Sequence, residues 1–194
     1  MPEPSDAKAK AEGTVTVTAP RRLHWGCGPV IAPGWMNSDV IDAPGVDLAC
    51  DIRAGLPLPD DDVDYIVSHH GLQDLKIYEQ VPALRELRRV LKPGGVLRVS
   101  LPDLDAAIAA YLEGRQSYFG VYAWDTIAGN FITHILWHNY TATLFTWSFA
   151  EELLKKAGFA DVRRMAHRET SSRYPEIVDL DTRPAESFYV EAFK

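Results

Sequence analysis

A short apolar segment, Arg21 to Trp25, runs directly into Gly26-Cys27-Gly28. A strand that stops at closely spaced glycines lets backbone approach a ligand without an intervening side chain. Downstream, strand-like and helix-like segments alternate, and that order predicts a mainly parallel sheet with both faces covered. The predicted strands are Arg21 to Trp25, Trp35 to Val40, Val46 to Cys50, Val63 to Ser68 and Val96 to Leu101, followed by Val162 to Met165 and Ser187 to Phe193. In the last of these, the alternation of Phe188, Val190 and Ala192 against Tyr189, Glu191 and Phe193 is weak.

Helix signals separate the strands. Val81, Leu84, Leu87 and Leu91 recur at helical spacing, with Pro82 in the first turn and Lys92-Pro93-Gly94-Gly95 as the stop. Asp103 or Asp105 can cap a helix through Leu112, with Gly114 closing it. Ser148 and Glu151 read as a capping box for a helix that Gly158 ends.

At 194 residues the chain suits one globular domain, residues 14–194, behind a solvated tail over residues 1–13. That tail has no apolar stretch of the secretory kind, and no run approaches the length of a membrane span. The expected compartment is therefore the cytoplasm, where Cys27 and Cys50 stay free thiols. The net charge of −7 and only paired basic residues argue against a nucleic-acid partner, and for a small-molecule or saccharide substrate.

Two carboxylates follow the glycine turn at equivalent places, Asp39 after the second strand and Asp51 after the third. One can accept the ribose hydroxyls of an adenosine, the other its exocyclic amine, with the Ile52 NH offered to the ring. Asp is also an ordinary turn residue. It is their shared position at strand ends, where open α/β sheets bind ligands, that favours a nucleoside site. A dinucleotide fingerprint would need a third glycine where Ile31 stands.

Gly26-Cys27-Gly28 followed by Pro33-Gly34-Trp35-Met36-Asn37-Ser38-Asp39 resembles the opening motif of class I S-adenosylmethionine-dependent methyltransferases. More narrowly, it is similar to small predicted methyltransferases associated with surface polysaccharide synthesis, with a type-11-like domain. The pattern continues through Asp51-Ile52, Leu56-Pro57-Leu58-Pro59-Asp60, Val63-Asp64-Tyr65-Ile66, Leu84-Arg85-Glu86, Arg89-Val90-Leu91-Lys92-Pro93-Gly94-Gly95 and Val99-Ser100-Leu101-Pro102-Asp103-Leu104. Several motifs in order are far more specific than any one.

The resemblance implies a Rossmann-like three-layer α/β sandwich with a seven-stranded, mainly parallel sheet whose last strand is antiparallel. It implies S-adenosylmethionine as cofactor and S-adenosylhomocysteine as product. Gly26, Cys27 and Gly28 would face the methionine part, Asp39 the ribose, and Asp51 and Ile52 the adenine; Ser68 and His69 would lie near the sulfonium. Relatives show His-Val-Leu-Glu-His-Leu after the fourth strand, where this chain has His70-Gly71-Leu72-Gln73-Asp74-Leu75. That departure leaves two readings open: methyl transfer to an oxygen or nitrogen, or a catalytically silent domain acting through protein contacts.

An insert at about 115–147 is rich in aromatics. Between Tyr118 and Trp147 lie nine of the chain's twenty, with His134 and His138. A substrate lid and a packed insert or homodimer face are equally good readings. His134 and His138 share a helical face, but no further ligands make a metal site there. An alcohol acceptor needs a base near its proton, and His70, His134 and His138 are the candidates in that order.

Overall fold

The computed structural model describes residues 19–120 and 124–194, apart from the side chain of His138. The predicted tail at residues 1–13 and Tyr122 of the aromatic insert lie outside the described residues.

Seven strands form one sheet in the order β3-β2-β1-β4-β5-β7-β6. They are β1 (Arg22–Trp25), β2 (Met36–Asp39), β3 (Leu48–Ala49), β4 (Val63–His69), β5 (Leu91–Pro102), β6 (Asp161–Met165) and β7 (Ser187–Phe193). The first five run parallel, and β7 is antiparallel to both β5 and β6. This is the expected Rossmann-like sheet. The weak alternation of β7 has a plain cause: the strand lies between two neighbours with both faces covered, and Phe188 to Ala192 are all buried.

Four helices are present among the described residues: α1 (Gln80–Val90), α2 (Leu104–Leu112), α3 (Ile127–Leu136) and α4 (Trp147–Ala157). On one face of the sheet, α1 contributes Ala83, Leu84, Leu87 and Val90, and α4 adds Ala150, Leu153, Leu154 and Ala157, packed against Leu23, Ile66, Leu97, Val99 and Val190. The expected capping box of α4 is displaced. Thr146, not Ser148, is the N-cap, its hydroxyl accepting from the Phe149 NH, and Ser148 lies inside the first turn. Gly158 closes α4 in the left-handed conformation, as expected. Asp103 rather than Asp105 caps α2 through the Ala106 NH.

The opposite face has a thinner cover. Neither the β1–β2 nor the β2–β3 connection contains a helix. Trp35 and Ala32 cover Tyr65, Val67 and Val96 together with Ile177 from a 3-10 turn at Pro175–Val178. The segment 166–182 is clamped to this face by a buried ion triad. Arg98 of β5 pairs with Asp181 at 2.6 Å and with Glu191 of β7 at 2.9 Å, all three fully buried. Arg98 also donates to the carbonyls of Ala166 and Glu169, and Glu191 accepts from the backbone and hydroxyl of Ser171.

α2 and α3 form a separate small cluster at the C-terminal end of β5. Phe119, Ala107 and Ala110 are buried there against Tyr118, Ile127, Phe131 and Ile135. Much of the aromatic segment therefore packs as a core of its own, while Phe145 joins the main core. Trp124, Trp137 and Tyr140 stay exposed.

Candidate active site at the strand tips

At the tip of β1 the chain turns sharply. Gly26 has φ +66° and Gly28 φ +52°, a region where a side chain is strained, and a Cβ on Gly28 would point into open space. The turn is tied to β2 twice: the Cys27 NH donates to the Ser38 carbonyl at 3.0 Å, and the Gly28 NH donates to the Asp39 carboxylate at 2.8 Å. The other Asp39 oxygen accepts from the Ile41 NH at 3.0 Å. A carboxylate has about four acceptor positions, so Asp39 keeps capacity for further donors. Cys27 offers backbone only, since its thiol is buried and its pKa is pushed up, by burial first and then by the Asp39 charge.

Ser68 of β4 lies beneath this turn. Its hydroxyl is 1% exposed and has no hydrogen-bond partner. It points at two glycines: a Cβ on Gly71 would stand 2.8 Å from Ser68 Oγ, and one on Gly26 would stand 3.9 Å from it. A buried hydroxyl without a partner is costly and calls for an explanation.

Two sequence expectations change here. His69 does not join Ser68, because successive residues of a strand face opposite sides. Its Nε2 accepts from the Thr182 NH at 3.1 Å, so its Nδ1 carries the proton and donates to Ser100. Burial holds the His69 pKa down at about 4, against a smaller upward pull from Asp181. Asp51 does not present a free carboxylate. It caps the 3-10 turn Ile52–Ala54 and is gripped by the Arg53 side chain, which lowers its pKa.

Beside the glycine turn, a cavity opens at the ends of β4 and β5. His70, Gln73, Pro102, His134, Ile135, Trp137, Thr141, Arg183 and Glu186 line it. His70 has φ +51°, which swings it off the strand end, and its Nε2 is 2.7 Å from Ser187 Oγ. Its pKa is held at about 3, by burial first and then by the Arg183 charge. Burial also lowers the His134 pKa, and the Glu186 carboxylate opposes this. Arg183 pairs with Glu186 at 3.2 Å and lies 5.5 Å above the Trp137 ring. His70 and His134 thus meet in one cavity, whereas the side chain of His138 lies outside the described residues.

Arg183 and Glu186 were not legible as site residues, because they sit in an irregular stretch before the last strand, whose first residue is Ser187. The available signal was the polar run Asp179-Leu180-Asp181-Thr182-Arg183 leading into that strand.

A family model described as a methyltransferase domain matches residues 39–99. Together with the strand order and the glycine turn, this match shows the methyltransferase resemblance. The fold is that of class I methyltransferases. Among curated proteins, the chain is similar to the demethylmenaquinone methyltransferase of Listeria welshimeri, 31% identical over 118 residues that cover 58% of this chain and 48% of that protein. It spans about half the length of the curated relatives it matches. Among solved structures, a SAM-dependent methyltransferase from Archaeoglobus fulgidus has a TM-score of 0.58 at 12% identity, covering 90% of this chain and 86% of the other. An S-adenosylmethionine-dependent methyltransferase from Mesorhizobium loti has a TM-score of 0.53 at 18% identity, covering 91% of each. These likenesses are of fold.

The family's cofactor is S-adenosylmethionine, and the residues present fit it. The open space over Gly28 and the spare acceptor capacity of Asp39 lie along one line of strand tips. No helix among the described residues is long and apolar enough to cross a membrane.

Proposed function

We propose that the protein transfers the methyl group of S-adenosylmethionine to an oxygen or nitrogen of a small-molecule or saccharide acceptor held in the His70–His134 cavity. The observation that carries this is the glycine turn, open over Gly28 and tied to the Asp39 carboxylate, at the same strand tips as a cavity with two histidines of lowered pKa. The nucleoside would lie across the strand tips. Asp39 would accept from the ribose and Ile52 offer its NH to the adenine, with Asp51 acting as the cap that orients Ile52.

When bound, the cofactor supplies an activated methyl on a sulfonium, so the protein's task is alignment, exclusion of water and removal of one proton. An imidazole held at about 3 is a poor proton store at neutral pH. His70 is therefore assigned to orienting the acceptor through its link with Ser187. His134 is the better base, because Glu186 favours its protonated form.

The test has two arms. By calorimetry, Asp39→Ala should weaken S-adenosylhomocysteine binding about tenfold, the loss of roughly 1.4 kcal/mol. In a turnover panel of saccharides, amines and a demethylmenaquinone-like quinone, His134→Gln should abolish turnover and spare cofactor affinity. Unchanged affinity in the first arm removes the ribose assignment. Tight cofactor binding with no turnover on any acceptor favours the silent domain instead.

A further inference from the structure

The acceptor cavity is walled by backbone that non-glycine residues rarely adopt. His70, Trp137 and Arg183 all line it, and all have positive φ, +51°, +44° and +55°. Among the described residues, half of the six non-glycine positions with positive φ thus stand around one cavity. A side chain is disfavoured in that region, so packing must hold each of the three in place, and such strain gathers where ligands are gripped. Arg183 opens the turn that leads into β7, where the Glu186 NH donates to the Arg183 carbonyl at 3.2 Å.

The charges on this wall are few. Past Pro102, His134, Ile135 and Thr141 the cavity continues into a second one, whose far side is apolar, with Leu104, Ala107, Leu144 and Phe145. Among the described residues, Arg183 is the only lysine or arginine lining either cavity. Its guanidinium is lightly committed. Nη1 donates to Glu186 at 3.2 Å, the Cζ atom lies 5.5 Å from the Trp137 ring centroid, and no other hydrogen bond to this side chain is found among the described residues. A guanidinium has five N–H donors, so most of them stay available, on a side chain nearly half exposed. Gln73 lines the same cavity. Its carbonyl is pinned by the NH groups of Ala142 and Thr143 at 2.8 and 3.0 Å, yet its amide, on a residue 7% exposed, makes no hydrogen bond among the described residues. An amide so placed is a donor and an acceptor lacking a partner. It is also uncharged where relatives have Glu, which leaves Glu186, already paired with Arg183, as the only carboxylate described on this wall.

We infer that the methyl acceptor carries an anionic oxygen group, a carboxylate or a phosphate, which Arg183 binds through its free N–H donors while the Gln73 amide hydrogen-bonds the acceptor beside it. The inference rests on the methyl-transfer reading above and narrows its acceptor to acids. Anchored at Arg183, the rest of the molecule extends past His134 towards the apolar end. Gln73 then serves specificity: a carboxylate in its place would stand against the bound anion.

Matched probes test it: glucuronate and glucose 6-phosphate against glucose, and 4-hydroxybenzoate against 4-hydroxybenzyl alcohol. Turnover is read with S-adenosylmethionine, and affinity by calorimetry on the protein saturated with S-adenosylhomocysteine. The wild type should favour the acids over their neutral partners about tenfold or more, in kcat/KM or in Kd. Whichever of glucuronate and glucose 6-phosphate leads identifies the anionic group. Arg183→Gln should erase the preference, and Arg183→Lys should restore part of it. Gln73→Glu, nearly the same in shape, should lower it by repulsion, which keeps the test open if Arg183→Gln melts early. Equal handling of acids and neutral partners by the wild type, or a preference that survives Arg183→Gln, would overturn the inference while leaving methyl transfer standing. Binding of S-adenosylhomocysteine with neither binding nor turnover of any probe would remove the acceptor reading and this inference together.

Discussion

His69 and His70 are neighbours in sequence, yet one braces the strap on the far face and the other turns into the acceptor cavity. Both are held neutral, with folded pKa values of about 4 and about 3 against the ordinary 6.5. Each value is depressed on folding, so the unfolded chain takes up protons that the folded one refuses as pH falls below about 6.5. Stability should therefore be full above that pH and decline towards pH 4. Between pH 7.5 and 5.0 we expect a loss on the order of 4 kcal/mol, about 2 from each histidine, read from urea midpoints. The variant with both histidines changed to Gln should show a much flatter dependence; the same slope in the variant would refute the assignment. At this scale the sequence exposed Gly26, Gly28 and Asp39, because turn glycines and strand-end acids leave a local signature. It could not place His69, whose direction depends on where the strand begins counting, nor the grip of Arg53 on Asp51.

Elements were easier to foresee than their ends. Strong periodicity marked α1, and β7 has the predicted bounds, because hydrophobic patterning survives any tertiary detail. The α4 cap was misplaced because Thr146 and Ser148 are both competent, and the choice between them follows from where Trp147 packs against Phe188. The charges inside two apolar strands, Val-Leu-Arg98-Val and Tyr-Val-Glu191-Ala, were a signal left unread: they lie opposite each other in the β5–β7 register. Removing one member of a buried ion set strands the others without compensation. Arg98→Met should cost about 3–5 kcal/mol in urea unfolding, as it leaves Asp181 and Glu191 buried and unpaired. A loss below about 1 kcal/mol would mean that the clamp on segment 166–182 is not held by charge.

For the molecule as a whole, the sheet joins two ligand areas that the sequence kept far apart. The glycine turn near residue 26 and the Arg183–Ser187 stretch meet only because β1 and β4 are neighbours and β7 is paired with β5. Such long-range closure leaves no mark on local patterns, which is why half of the acceptor cavity was invisible before the fold. Occupying the cofactor site should stabilise the folded state by mass action. S-adenosylhomocysteine at about 100 times its Kd should add about 2.7 kcal/mol, a rise in Tm of roughly 5–10 °C. Methylthioadenosine at the same multiple of its own Kd should give a similar rise, and NAD none; a rise with NAD would argue for a different ligand.

The place of β7 between β5 and β6 has a consequence for how the protein is made. A nascent chain on the ribosome can assemble β1 to β5 and their helices early, but the row of β5 that will pair with β7 stays open until residues 187–193 emerge. Until then Arg98 has no Glu191, β6 has no neighbour to dock on, and Ser187 cannot reach His70. Synthesis must therefore pass residue 193 before the acceptor cavity exists, and the partly built sheet is the species a chaperone would meet.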